Sequence, residues 1–177
     1  MKTNLLIIIL FSVFNVMAQK DNTQPVTVDH VNLSKYTGIW YEIAKIPNSF
    51  QKKCISNSAA HYSLNEDGTI KVVNSCKNAD GEMNSSEGVA KVVDTMTNSK
   101  LEVSFVSIFG INLFWGDYWI IGLDDDYSYA VIATPNRKYG WILSRTKQLT
   151  KQKLSTAYDI LKKNGYNTKD FVFTIQE

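Results

Sequence analysis

Few side chains in this sequence are able to do covalent chemistry. Cys54 and Cys76 are its only thiols, and His30 and His61 its only imidazoles. A nucleophilic thiol needs a neighbouring base or cation to hold it as thiolate, and those two histidines are the imidazole candidates. The competing chemistry is oxidation of the pair to a disulfide, which an oxidising compartment favours. Closing that loop would restrict the unfolded chain by roughly 3 kcal/mol if the geometry is unstrained. Asp124, Asp125 and Asp126 form an acidic triplet that could tempt a calcium assignment, but they fall where a tight turn is expected. No Gly-x-Ser-x-Gly elbow, Gly-rich phosphate loop or His/Cys grouping at metal spacing occurs. The expectation is therefore a protein that is not an enzyme, with no metal and no cofactor.

What must position these groups is a chain of 177 residues, the size of one domain, and its 44% hydrophobic content is enough to build a core. The 19 basic and 17 acidic residues are mixed along the sequence, so no cationic stripe exists to grip a phosphate backbone, and nucleic acid is not an expected partner. Residues 1–18 follow different rules. Lys2 precedes an apolar run from Leu5 to Val16, and Val16-Met17-Ala18 offers small residues near a cleavage point. The run is shorter than the roughly 20 residues of a spanning helix, so it reads as a signal peptide. No cysteine stands at the junction to carry a lipid anchor. The mature product is expected to be exported and soluble: periplasmic or outer-membrane-associated in a bacterium, secreted otherwise. Residues 19–32 read as an extended polar arm and 33–177 as the domain.

Within the domain the pattern has a period of two. Runs at 38–46, 59–64, 70–74, 86–94, 100–106, 117–123, 129–133 and 139–144 predict eight strands. Asn65-Glu66-Asp67-Gly68 is a hairpin turn, and Thr97-Asn98-Ser99 and Asp124-Asp125-Asp126 are short turns on the same side. Short turns at one end and long loops at the other predict a barrel with a narrow floor and an open mouth, with Cys54 and Cys76 meeting near the mouth. One segment changes period: Leu154, Ala157, Tyr158 and Leu161 recur at helical spacing, Thr150 suits the N-cap and Gly165 the C-terminal left-handed turn. That helix is expected outside the barrel, against Tyr41, Ile43, Trp119, Ile121 and Ile142. A last run, 171–174, could pair with the barrel edge.

Three motifs in order carry a resemblance. Gly38-Ile39-Trp40-Tyr41-Glu42 resembles the Gly-x-Trp signature of the lipocalins, Asp124-Asp125-Asp126-Tyr127 their Asp-Tyr turn between the sixth and seventh strands, and Ser144-Arg145-Thr146 their third motif. The phrases at 40–44, 68–74 and 141–146 are similar to the bacterial branch, which includes apolipoprotein-D-like relatives. The resemblance covers Leu33 to the C-terminus. It implies an all-β fold, an eight-stranded antiparallel up-and-down barrel with one C-terminal α-helix packed outside. It also accounts for the aspartate turn and implies structural roles for Gly38, Trp40, Asp126, Tyr127 and Arg145. Arg145 can cover the Trp40 ring from outside and close the floor, worth roughly 0.5 to 2 kcal/mol.

With Trp40 taken as inward, alternation sends Glu42 and Ala44 inward too, with Tyr62, Val72, Ala90, Val103, Phe105, Tyr118, Ile120, Ile132 and Trp141 as the ligand-binding lining. An eight-stranded barrel is wide enough for one small ligand or for a solid core of side chains. Small inward residues, Ala44, Ala60, Ala90 and Gly122, favour an open space. The polar tips of Tyr62, Tyr118 and Trp141 could hydrogen-bond a lipid headgroup. Glu42 reads either as a floor residue bonded to backbone or as a headgroup partner. The resemblance implies storage or transport of fatty acids or lysophospholipids for envelope maintenance. Rival readings are an exported enzyme on the same fold and an interaction module without a ligand. The stretch 106–116 is unusually apolar for a loop, and Phe109, Phe114 and Trp115 make it a lid, a membrane contact or a dimer interface; the chain is expected as a monomer or homodimer.

Overall fold

The computed structural model describes residues 24–177; the expected leader at 1–18 lies outside them. A one-turn helix α1 (Leu33–Tyr36) leads into β1 (Gly38–Lys45), β2 (Ser56–Leu64), β3 (Ile70–Lys77), β4 (Met83–Val92) and β5 (Lys100–Ser104). A small hairpin follows, β6 (Val106–Ile108) and β7 (Ile111–Leu113), then β8 (Gly116–Leu123), β9 (Tyr129–Ala133) and β10 (Gly140–Ser144). Helix α2 (Lys151–Lys163), a 3-10 turn (Thr168–Asp170) and β11 (Val172–Phe173) complete the chain. Strands β1 to β5 and β8 to β10 pair antiparallel in succession, and β10 pairs back onto β1. The sheet therefore closes as the expected eight-stranded barrel, which leaves little unpaired edge.

The short turns lie together at one end. Asp67 accepts bonds from the Thr69 backbone and hydroxyl at 2.9 and 2.6 Å, while Gly68 supplies the positive φ that the β2–β3 reversal needs. At the β8–β9 turn Tyr127 itself takes a left-handed φ of 60°, and Asp126 accepts from Ser128 N at 2.9 Å. The stretch before α1 crosses this end as backbone: Val28 N bonds Ile120 O and Val31 N bonds Thr97 O, and the Val31 side chain is fully buried. Residues 24–32, within the stretch expected as an extended arm, thus help to close the floor.

Two apolar clusters share the barrel wall. The inner one is built on Trp40, Tyr62, Val72, Ile120, Ile132 and Leu143. The outer one joins Ile43, Ile121, Val131 and Ile142 to Ala157 and Leu161 of α2. Helix α2 is capped as expected: Thr150 accepts from Lys153 N, and Gly165, at φ 78°, lets the chain turn back with Tyr166 N bonded to Leu161 O. Trp119 does not serve the helix; the Lys100 ammonium covers its ring at 4.4 Å.

Two β-bulges overturn two orientations expected from strict alternation. Between Glu42 and Ala44 the β1–β10 register slips, so that Glu42 faces Leu143 but Ala44 faces Ile142. Ala44 thereby lands in the outer cluster. Between Ile120 and Gly122 the β8–β9 register slips likewise and pairs Gly122 with Val131. A Cβ at Gly122 would come within 2.8 Å of Ile160 Cδ1, so its smallness admits the helix and not a ligand. One extra residue on one strand flips every later side chain to the opposite face.

Candidate functional site

The floor is built from Trp40, α1 and the chain after β10. Trp40 is fully buried, and its indole donates to Tyr36 O at 2.8 Å. Outside, the Arg145 guanidinium lies 3.9 Å from the Trp40 ring centroid and donates to Ile39 O and Lys35 O. Gly38 is required here twice over: its φ is 92°, and a Cβ would sit 3.2 Å from Arg145 Nη1. Tyr127 reaches across the same end, its hydroxyl accepting from Asn32 N.

Above the floor, three phenols converge. Tyr118 OH lies 2.8 Å from Tyr36 OH and 3.1 Å from Tyr62 OH. Burial pushes the Tyr62 hydroxyl up to about 12 and holds those of Tyr36 and Tyr118 well above the ordinary value of 10.0. All three therefore stay protonated near neutrality, and each keeps an O–H that can donate. Tyr36 belongs to no strand, so alternation could not find it; its place, two residues before Gly38, was the only signal.

One inward step toward the mouth, the side chains shrink. Ala60 follows Tyr62, Asn74 follows Val72, Gly88 follows Ala90 and Gly116 follows Tyr118. Asn74, Ser86 and Gly116 are exposed although they share the inward face. On β4, pairing with β5 ends at Val89, so Met83 to Gly88 has a strand neighbour on the β3 side only. The rim then carries two aromatics. Phe105 packs its ring on Gly88, where a Cβ would meet it at 2.6 Å, and Trp141 donates to Gln51 Oε1 at 3.2 Å.

All the residues expected as lining except Phe105 share one inner apolar cluster. Tyr62, Val72, Ala90, Ile120 and Ile132 are buried in the lower half; Val103, Tyr118 and Trp141 are half-buried above them; Phe105 stands at the rim, 38% exposed. Glu42 is not bonded to backbone through its carboxylate, as one reading had it. The carboxylate accepts from Gln51 Nε2 at 2.6 Å and Thr174 Oγ1 at 2.5 Å, and pairs with Lys45 at 2.9 Å. Gln176 Nε2 donates to Glu42 O and Ser58 O, so the C-terminal segment fills the gap where β1 and β2 part. Neither Gln51 nor the tail carries a periodic signal that could have placed it.

Cys54 and Cys76 form a disulfide, with their Cα atoms 5.4 Å apart, and tie the β1–β2 loop to β3 at the mouth. The apolar stretch after β5 is not a loop but the β6–β7 hairpin. Ser104 Oγ pins its base by donating to Leu113 O at 2.5 Å, and Trp115 lies under the Lys91 ammonium at 4.1 Å. Its turn presents Phe109, fully exposed at φ 50°, and Phe114 is 82% exposed at φ 56°. Left-handed φ disfavours a phenylalanine, and Asn-Gly would suit such a turn better. The hairpin is extended into solvent rather than folded inward. Phe50, 62% exposed, packs edge-on against Tyr139 beside it at the mouth. Among the described residues no group of three His, Cys, Asp or Glu side chains is placed to hold a metal.

Comparison with known proteins agrees with this architecture. A sequence model of the lipocalin-like domain matches residues 31–176. Temperature-induced lipocalin-1 of Arabidopsis thaliana is 40% identical over 146 residues, covering 76% of this chain and 78% of its own length. Outer membrane lipoprotein Blc of Escherichia coli (strain K12) is 34% identical over 167 residues, covering 92% of this chain and 91% of its own. Among solved structures, insecticyanin from the tobacco hornworm Manduca sexta superposes with a TM-score of 0.67 at 24% identity, covering 86% of this chain and 83% of that one.

Proposed function

The chain belongs to the lipocalin family, and on that premise we propose that it binds one small hydrophobic molecule in its barrel, as an exported carrier or store of lipid without covalent chemistry. The observation that carries this reading is the contrast along the interior. The lower half is sealed by Trp40, Ile120 and Ile132, each fully buried, while the inward positions above it hold small or solvent-reached residues. A guest molecule would cover the half-buried Val103, Tyr118 and Trp141 there. Fatty acids and lysophospholipids fit a tail-lined interior with phenol and indole tips, and handling them would serve envelope lipid maintenance. The disulfide supports an oxidising, exported location.

The β6–β7 hairpin is the proposed membrane contact. Two exposed phenylalanines held at disfavoured backbone angles at the mouth are poorly explained by stability, since strain is retained where function needs it. Phe50 and the exposed Lys52 and Lys53 stand in the neighbouring mouth loop, and that pairing of aromatic and cation suits a lipid surface.

Native mass spectrometry of the purified protein should find one retained lipid per chain, and the same spectra read its monomer or dimer state. Added lipid should quench tryptophan fluorescence and saturate at one equivalent. No retained lipid together with no quenching would end the carrier reading. Changing Phe109, Phe114 and Trp115 to Ser should weaken association with liposomes while leaving the fold intact. Unchanged partitioning would remove the membrane contact alone.

A further inference from the structure

The three phenols present a countable imbalance. Tyr36, Tyr62 and Tyr118 carry three hydroxyl protons, and the contacts Tyr36–Tyr118 and Tyr62–Tyr118 use two. One proton therefore has no acceptor among the described residues, although Tyr36 and Tyr62 are 6% and 8% exposed. A buried donor without a partner loses free energy that an acceptor would restore. On β2 and β8 the next inward positions toward the mouth from this cluster are Ala60 and Gly116, which carry little or no side chain.

The charges around the cluster select the acceptor. The nearest cation, Arg145, is on the far side of the Trp40 ring and is committed to Ile39 O and Lys35 O. Lys45, on the mouth side, is committed to Glu42. Burial, and after it the Glu42 carboxylate, itself 4% exposed, push the Tyr62 hydroxyl up. An anionic head lowered to the phenols would lose its hydration in a poorly screened interior, and among the described residues Arg145 and Lys45 are already engaged elsewhere. An uncharged oxygen meets no such barrier.

We propose that Tyr36, Tyr62 and Tyr118 form a polar subsite at the base of the barrel that accepts an uncharged carbonyl oxygen, a ketone, ester or amide, at the buried end of the ligand. This rests on the carrier reading and narrows it: the ligand enters carbonyl first, and an ionised fatty acid is the weaker member of a matched pair. The phenols act as a sensor of one acceptor, and the apolar wall above them tolerates variation in the rest of the molecule.

The test compares a long-chain methyl ketone with the n-alkane and the carboxylate of equal carbon number, each displacing an environment-sensitive dye from the full chain. The ketone should bind about 3- to 10-fold more tightly than the alkane, the ratio one added hydrogen bond supplies, and more tightly than the carboxylate. In the triple variant Tyr36→Phe, Tyr62→Phe, Tyr118→Phe the ketone should fall to the affinity of the alkane, whose own affinity stays unchanged. Equal ketone and alkane binding in the native chain, as when a water occupies the free proton, would overturn the subsite. So would a ketone preference that survives in the triple variant. If the triple variant does not fold, the infrared carbonyl stretch of the ketone bound to the native protein decides: a shift to lower frequency than in alkane solvent supports the subsite, and an unshifted band overturns it. Failure of all three probes to bind removes the carrier reading along with the subsite, whereas equal binding of all three removes the subsite alone.

Discussion

The two ends of this barrel use the same kinds of residue for opposite ends. At the floor, the Trp40 ring is fully buried, its indole is matched to Tyr36 O and the Tyr127 hydroxyl to Asn32 N, with Arg145 laid over the outside. At the mouth, Phe50, Phe109 and Phe114 are more than half exposed, and two of them occupy backbone angles that disfavour them. The floor is where apolar area is converted into stability. The mouth gives up stability for accessible surface, and the disulfide at Cys54 and Cys76 ties the β1–β2 loop of that rim to β3.

The largest effect expected from this contrast is at the floor. Trp40→Ala should destabilise the fold by about 3–5 kcal/mol, the range for emptying a buried aromatic site, and denaturant unfolding would measure it; a loss below ~1 kcal/mol would mean the floor is not the anchor. Next comes the mouth's one strong restraint. Replacing both Cys54 and Cys76 by Ala should lower stability by about 3 kcal/mol through freedom returned to the unfolded chain, leaving the floor's near-UV signal intact.

A third effect is set by pH. Burial raises the phenols above their ordinary 10.0, with Tyr62 at about 12. The folded chain therefore holds these protons more tightly than the unfolded chain does. Their contribution is complete below pH 10 and declines as the pH climbs through the folded values, so stability should drop between about pH 10 and 12. Alkaline unfolding followed by tyrosinate absorbance should show this drop, and it should be smaller in the triple phenylalanine variant. The smallest effect should have the opposite sign. Phe109→Asn relieves a left-handed φ and should stabilise the protein by up to ~1 kcal/mol while weakening liposome association; destabilisation would show that the exposed ring supports the fold.

Much of this was readable from residue order. The eight barrel strands, the α2 cap at Thr150, the turn at Gly165 and the Arg145 cover on Trp40 all follow from periodicity, turn chemistry and family resemblance. What escaped did so for identifiable reasons. Ala44 and Gly122 were assigned inward because alternation has no means of announcing a bulge, and both lie in the wall that α2 covers. The hairpin β6–β7 looked like a loop because each strand is only three residues long. Tyr36, Gln51, Thr174 and Gln176 entered the interior network from outside the barrel strands, where no period points inward or outward.

Local chemistry determined which segments would be strands and where they would reverse, because those choices depend on neighbours within a few residues, and the resemblance supplied the closed barrel. Only the tertiary structure decided how the faces were shared: which small residues admit the helix and which stay on the inward face, which carboxylate is locked by the C-terminal tail, and that three phenols from α1, β2 and β8 meet with one proton to spare. These outcomes depend on register and on contacts between segments up to 138 residues apart, as Val26 and Asn164 are. A one-residue slip in pairing is nearly invisible in a sequence and reverses the role of every side chain after it.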